Sequence, residues 1–176
     1  MTVEALRRGE PEVLAELLAQ HGREIQSVAY LILRNRADAE DVLMDTLLAA
    51  LDRGSSLRDP SAMRQWLLKI ATNDALRRQR RLRTVKWLQL SPDTPGPAFD
   101  TTEHVALLQG LATLPARSRA ALVLHYYADL PVAEVAAVMG TSQNTVKSQL
   151  RTGLMRLRVL LEASVVSANH AEATHV

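Results

Sequence analysis

The chain contains no cysteine. Disulfides, thiolate zinc sites and cysteine nucleophiles are therefore excluded, and the absence fits a reducing compartment. Aromatic residues make up only 3% of the sequence. Stretches that alternate β-branched with polar residues are few, while Leu and Ala are abundant, which favours an all-α fold. No apolar run approaches the roughly 20 residues of a membrane span. The opening MTVEALRRGEPEV lacks the apolar core of a signal peptide, so the sequence reads as cytoplasmic. The histidines His21, His104, His125, His170 and His175 form no HExxH and no close ligand pair in the part expected to fold. No Walker A loop, GxSxG elbow or Gly-rich dinucleotide loop occurs. No enzyme, cofactor, metal or small-molecule substrate is expected. The acidic cluster Asp38, Glu40, Asp41 and Asp45 lacks the central glycine and closing glutamate of a calcium loop. A protein-facing acidic surface is the better reading.

What is present describes a globular chain. Its 176 residues are 47% hydrophobic and 23% charged, enough for one ordinary domain or two small ones. The net charge is only +2, but the charge is unevenly distributed. Residues 1–62 hold 7 Lys/Arg against 11 Asp/Glu, residues 63–89 hold 8 against 1, and residues 143–158 hold 4 against none. Two basic patches, one in each half, suit two footprints on a polyanion. The plain alternative is two solvated helix faces.

The stretch SPDTPGPAFDT, residues 91–101, carries three prolines and a glycine and reads as a linker. It separates residues 1–90 from residues 102–163, with residues 164–176 as a mobile tail. In the first half, Pro11 opens a helix on which Leu14, Leu17, Leu18, His21, Ile25, Val28 and Ile32 keep the 3.6-residue period. Arg34 to Ala37 reads as a turn, with Asp38 as N-cap of a helix from Ala39 to about Asp52. A long helix follows from about Ser61 to Arg83. Met63, Trp66, Leu67, Ile70 and Ala71 form its buried face, and its end, RRQRRLR, is basic nearly all round. In the second half, helices are expected over about Thr102–Thr113 and from Pro115 to about Tyr127.

Leu130 to Leu157 reads as a helix-turn-helix. The short helix VAEVAAVM stops at Gly140, which suits a left-handed cap. Ser142 suits the N-cap of a second, longer helix. Val146, Leu150, Leu154 and Leu157 give that helix a buried stripe. Ser142, Gln143, Asn144, Thr145, Lys147, Ser148 and Arg151 remain for base edges and phosphates in a major groove. A helical hairpin with no nucleic-acid role is the alternative, but no acidic residue occurs from Gln143 to Leu161.

These pieces, in this order, resemble the extracytoplasmic-function (ECF) sigma factors of bacterial RNA polymerase, over about residues 10–162. DAEDVLMDTLLAAL resembles the family's region 2.2, MRQWLLKIATNDALRRQRR its regions 2.3 and 2.4, and LATLPARSRAALVLHYYADLPVAEVAAVMGTSQNTVKSQL its region 4. The resemblance implies two small helical domains, region 2 in residues 1–90 and region 4 in residues 102–163. It implies that Ala39, Asp41, Val42, Met44, Asp45 and Leu48 meet the clamp helices of the largest polymerase subunit. Region 4 would meet the flap of the second-largest subunit and read the minus-35 duplex. Arg58, Met63, Arg64, Lys69, Asn73, Arg77, Arg78, Arg80 and Arg81 would hold the melted minus-10 strand. The linker, from about Thr84 to Thr101, would thread toward the polymerase cleft. An anti-sigma factor is a further partner common in the family. This chain departs from the family pattern at Met44-Asp45, Leu47, Leu51, Gln149 and Thr152-Gly153. On propensity alone, Gly153 should weaken its helix by about 1 kcal/mol relative to Ala.

Two other functions compete. A stand-alone helix-turn-helix regulator would need only the second half. A helical adaptor would bind proteins alone and lack salt-sensitive DNA binding. The acidic helix and the basic helix of the first half favour the sigma-type reading.

Overall fold

The structure, a computed structural model, describes the backbone of residues 8, 11–54, 57, 59–85 and 102–173. Side chains are described for residues 8, 12–54, 57, 59–81 and 107–162. Arg58 and the linker over residues 91–101 lie outside the described residues. All regular structure among the described residues is helical.

Helices α1 (Pro11–Leu17) and α2 (Arg23–Leu33) run on from one another through a π-helical turn, Leu18–Gly22. A wider turn resets the helical phase. Leu17, Ile25, Val28 and Ile32 are buried as expected, but Leu18 is rotated out to solvent. Helix α3 spans Arg36–Arg53 and begins earlier than the sequence suggests. Its N-cap is Asn35, not Asp38. The Asn35 backbone is extended, and its Oδ1 accepts the Asp38 N–H at 3.1 Å. An amide three residues before Asp38 thus satisfies one of the free N–H groups of the first turn. A short 3₁₀ turn, Pro60–Ala62, capped by the Asp59 carboxylate, leads into α4 (Met63–Val85). Met63, Leu67, Leu68, Ala71, Ala75 and Leu76 are buried, while Trp66 and Ile70 are only half-buried.

In the second half come α5 (Thr102–Thr113), α6 (Ala116–Leu122), a π-helical turn over Val123–Tyr127, α7 (Val132–Met139) and α8 (Gln143–Ala173). Pro115 and Pro131 each stand one residue before a helix. Helix α8 continues into the segment expected to be a tail. No glycine or proline follows Gly153, so nothing in the sequence breaks it. The inner stripe of α8 is Val146, Leu150, Gly153 and Leu157. Leu154 is 44% exposed, one position off the stripe. Gly153 is where α8 touches α6: a Cβ there would stand 2.7 Å from Leu122 Cδ1 and 3.2 Å from Leu122 Cγ. The glycine that costs the helix propensity permits this close approach.

The halves pack on each other. Helix α4 lies against α7, and α2 lies against α6 and the π turn that follows it. The buried apolar residues form one cluster that runs from Val13 to Leu157. Two side chains tie the halves. Arg119 on α6, 4% exposed, donates from Nη1 to the Ile32 carbonyl at 2.6 Å. Arg64 on α4 donates from Nε to Glu24 Oε2 at 3.0 Å, and from Nη2 to Glu24 Oε1 and the Ala128 carbonyl.

Candidate nucleic-acid interface

Four surfaces emerge. The first is the outer face of the helix-turn-helix. Gly140 ends α7 in the left-handed conformation, φ 60° and ψ 46°. The Thr141 N–H then donates to the Ala136 carbonyl at 3.0 Å. Ser142 caps α8: its Oγ accepts the Thr145 N–H at 3.1 Å and lies 2.9 Å from Thr145 Oγ1. Val146, fully buried, anchors the first turn of α8 to the core. That anchor turns Gln143, Asn144, Thr145, Lys147, Ser148 and Arg151 to solvent. Lys147 and Arg151 have no charge partner among the described residues. Ser142 positions the helix rather than adding a free hydroxyl. Gln149 lies off this face, with its Oε1 buried and unpaired among the described residues.

The second surface is a groove of about 520 Å³ between α3 and α4. Lys69, Asn73, Arg77 and Arg80 line it beside Trp66, Ile70, Arg53 and Asp45. A half-buried tryptophan beside cations and an amide gives a stacking surface next to phosphate-binding charge. Arg81 is exposed beyond it. The other residues expected on the minus-10 surface lie elsewhere. Met63 is buried in the core and presents nothing to a strand. Arg64 is engaged between the halves.

Arg78 is held by three carboxylates. Its Nε donates to Asp74 Oδ2 at 2.9 Å, its Nη1 to Asp41 Oδ2 at 3.3 Å, and its Nη2 to Asp45 Oδ2. Partial burial works against the cation, but the hydrogen bonds and charges of Asp74 and Asp45 outweigh it. The guanidinium is held above the ordinary arginine range. Asp74, 8% exposed, also accepts from Arg77 Nη2. A carboxylate so buried needs such pairing to offset its desolvation. Sequence reasoning passed over Asp74. The available signal was its spacing, three and four residues before Arg77 and Arg78, where helical neighbours meet.

The third surface is the outer stripe of α3. Asp41, Met44, Asp45 and Leu48 lie at helical spacing, with Met44 59% and Leu48 54% exposed. Ala39 and Val42, expected with them, are fully buried and form the inner face of the same helix. They support the stripe and do not reach a partner. A separate apolar groove of about 440 Å³ opens on the second half. Leu107, Leu111, Leu122, Tyr126, Leu154 and Leu157 line it, and Leu31 of the first half closes one side. Sequence reasoning identified no such groove, because its residues come from five separate elements.

Residues 17–85 match the family Sigma-70 region 2, and residues 104–157 match Sigma-70, region 4. The chain is 31% identical over 157 residues to the ECF RNA polymerase sigma factor SigM of Mycobacterium tuberculosis, covering 87% of this chain and 79% of SigM. It is 26% identical over 157 residues to the RNA polymerase sigma factor SigV of Bacillus subtilis, covering 85% of this chain and 91% of SigV. Among solved structures, the sigma factor RpoE of Bartonella quintana, in complex with the anti-sigma factor NepR, matches with a TM-score of 0.71 at 23% identity. That match covers 84% of this chain and 96% of RpoE. CnrH, in complex with the cytosolic domain of CnrY, matches with a TM-score of 0.67 at 25% identity, covering 92% and 95%.

Proposed function

The chain belongs to the ECF sigma factors of RNA polymerase, and from that premise we propose how its own residues serve promoter recognition. As a sigma factor it binds core RNA polymerase and promoter DNA and directs transcription initiation. The family is non-catalytic, and the polymerase supplies the chemistry. Among the described residues no helix is long and apolar enough to cross a membrane. The cytoplasm, where the polymerase works, is the compartment this role implies.

Residues 1–90 act as region 2 and residues 102–163 as region 4. The exposed face Gln143, Asn144, Thr145, Lys147, Ser148 and Arg151 reads the minus-35 duplex. Short polar side chains on this face suit base edges, and the two cations suit phosphates. The groove of Lys69, Asn73, Arg77 and Arg80, continued by Arg81, holds the melted minus-10 strand. Asp41, Met44, Asp45 and Leu48 meet the clamp helices of the largest subunit. The apolar groove around Leu107, Tyr126 and Leu154 takes an apolar segment of the flap of the second-largest subunit. An anti-sigma factor is a further partner. CnrH, similar in fold and at 25% identity, is seen with the cytosolic domain of CnrY.

Size decides one feature of the mechanism. The two promoter elements lie about 25 base pairs apart by position, or about 85 Å at 3.4 Å per step. A compact body of this length has a radius of gyration of about 16 Å and a diameter near 40 Å. The packed halves therefore cannot touch both elements at once. Residues 86–101, stretched out, reach roughly 55 Å. Promoter engagement separates the halves and releases Arg119 from Ile32 and Arg64 from Ala128.

The observation that carries this reading is the pairing, on one chain, of an exposed helix-turn-helix face with a separate cation-lined groove. A stand-alone helix-turn-helix regulator needs no such groove and no match to region 2. Run-off transcription with purified core polymerase on genomic fragments tests it. Discrete start sites that depend on this protein are expected. Specific DNA binding without polymerase, and no transcription with it, would sink the reading.

A further inference from the structure

Arg78 stands between two surfaces that serve different partners. Two of its three carboxylate partners, Asp41 and Asp45, lie on the exposed stripe of α3 with Met44 and Leu48. Its third partner, Asp74, lines the groove with Arg77 and Arg80, and Asp45 lines that groove too. The Arg78 side chain is only 23% exposed, against 67% and 53% for the Asp41 and Asp45 side chains. Asp41 and Asp45 thus present their outer oxygens to a partner while holding a cation inside. With Arg77 counted, three carboxylates surround two guanidinium groups, so the cluster carries one net negative charge beside a groove meant for phosphates.

We propose that Arg78 couples the two surfaces: a basic partner helix that takes the Asp41 and Asp45 carboxylates releases Arg78 to the phosphates of a single strand in the adjacent groove. The coupling rests on the assignment of the α3 stripe to polymerase and of the groove to the melted strand. In the free protein Asp41 and Asp45 screen the groove and hold Arg78, which keeps strand binding weak. When polymerase supplies its own cations to those carboxylates, Arg78 keeps Asp74 and gains a phosphate. The linkage is reciprocal, so a bound strand frees the two carboxylates and tightens the polymerase contact. Arg78 is then a positioning cation whose availability depends on the docked partner.

Anisotropy of a fluorescein-labelled oligo(dT) of about 15 nucleotides tests this, with the full-length chain free and bound to purified core polymerase. Arg78→Gln should weaken the free protein only slightly, by the loss of one nearby charge, and weaken the holoenzyme about tenfold. It should also flatten the holoenzyme's log K against log salt by about 0.7, the slope of one single-strand phosphate contact. In the free protein, Asp41→Asn with Asp45→Asn should tighten binding and steepen that slope by about 0.7. With Arg78→Gln added, the steeper slope should vanish and the tightening should fall to what general charge removal gives. Asp38→Asn with Glu40→Gln removes two charges from the same helix away from the groove and should give a gain that survives Arg78→Gln. The double asparagine variant keeps Arg78 paired with Asp74, so it serves if Arg78→Gln folds poorly. Equal effects of Arg78→Gln with and without polymerase, or a steeper slope that persists when Arg78→Gln is added, overturn the coupling. A holoenzyme that binds the strand no better than core polymerase alone overturns the function assigned to the groove, and the coupling with it.

Discussion

Arg119 donates a hydrogen bond from Nη1 to the carbonyl oxygen of Ile32 at 2.6 Å, and this bond fastens region 4 to the last turn of α2 in region 2. The same guanidinium donates from Nη2 to the carbonyls of Ala112 and Leu114, at 3.0 and 3.1 Å. One side chain therefore orders the turn between α5 and α6 and holds the closed arrangement of the halves. Bonds of this kind are favourable in a buried site and replaceable by water in an open one. That balance lets a strong local contact hold the closed form that the proposed promoter engagement opens.

Arg119→Met should cost about 1.5–3 kcal/mol of stability, the range for hydrogen bonds made by a charged group. It should also shift the free protein toward separated halves. Urea unfolding measures the first effect and solution scattering the second. An unchanged radius of gyration with lowered stability would confine Arg119 to the α5–α6 turn.

The helices and the helix-turn-helix were legible because period and punctuation agreed. Val132–Met139 ends at Gly140, and Val146 falls where the motif needs a core residue. The misreadings came from phase and partners. The π turn at Leu18–Gly22 rotates Leu18 outward, which a fixed 3.6-residue period does not anticipate. Asp38 and Asn35 are both good caps, and only the extended backbone of Asn35 decides between them. Charge gave the basic track but not its partners. Arg64 and Arg78 looked like their neighbours in sequence, yet Glu24 and Asp41, far along the chain, engage them.

Gly153→Ala tests whether packing outweighs propensity. The substitution should gain about 1 kcal/mol in an exposed helix. Here the new Cβ would stand 2.7 Å from Leu122 Cδ1 and 3.2 Å from Cγ, so either the buried Leu122 side chain turns aside or α8 and α6 move apart. Overpacking costs about 1–3 kcal/mol, and a net loss is expected. Leu122→Ala in the same chain should recover part of that clash. A Gly153→Ala protein more stable than wild type in urea would show that Leu122 swings aside freely.

Met44→Ala with Leu48→Ala separates a partner contact from a folding contact. Both side chains are more than half exposed, so stability should change by no more than about 0.5 kcal/mol. Affinity for core polymerase should fall at least about tenfold, since apolar anchors at a partner-helix interface carry much of its energy. Titration of labelled protein with core polymerase measures this. Unaltered affinity would place the interface on another face.

Lys147→Ala with Arg151→Ala should impair transcription that depends on the minus-35 element while leaving polymerase binding intact. The two side chains are exposed and have no charge partner among the described residues, so the fold loses little. Run-off transcription from the protein's own promoter, beside a polymerase-binding assay, separates the two effects. Normal transcription by the double variant would mean that the reading face lies elsewhere.

His21 gives the fold a pH dependence in one direction. Burial lowers its pKa below 6.5, and Arg64 adds to that lowering while Glu24 partly offsets it. The folded protein therefore binds the His21 proton less readily than the unfolded chain does. Stability contributed by neutral His21 is present above the unfolded value of 6.5 and declines as pH falls through it. The loss levels off once pH drops below the lowered folded value. The lowered Asp59 carboxylate acts only near and below 3.8, so it does not enter this window. Thermal midpoints should fall as the pH is taken from about 7.5 to about 5.5. His21→Gln, which cannot titrate, should flatten that slope. A slope identical in the variant would show that His21 is not its source.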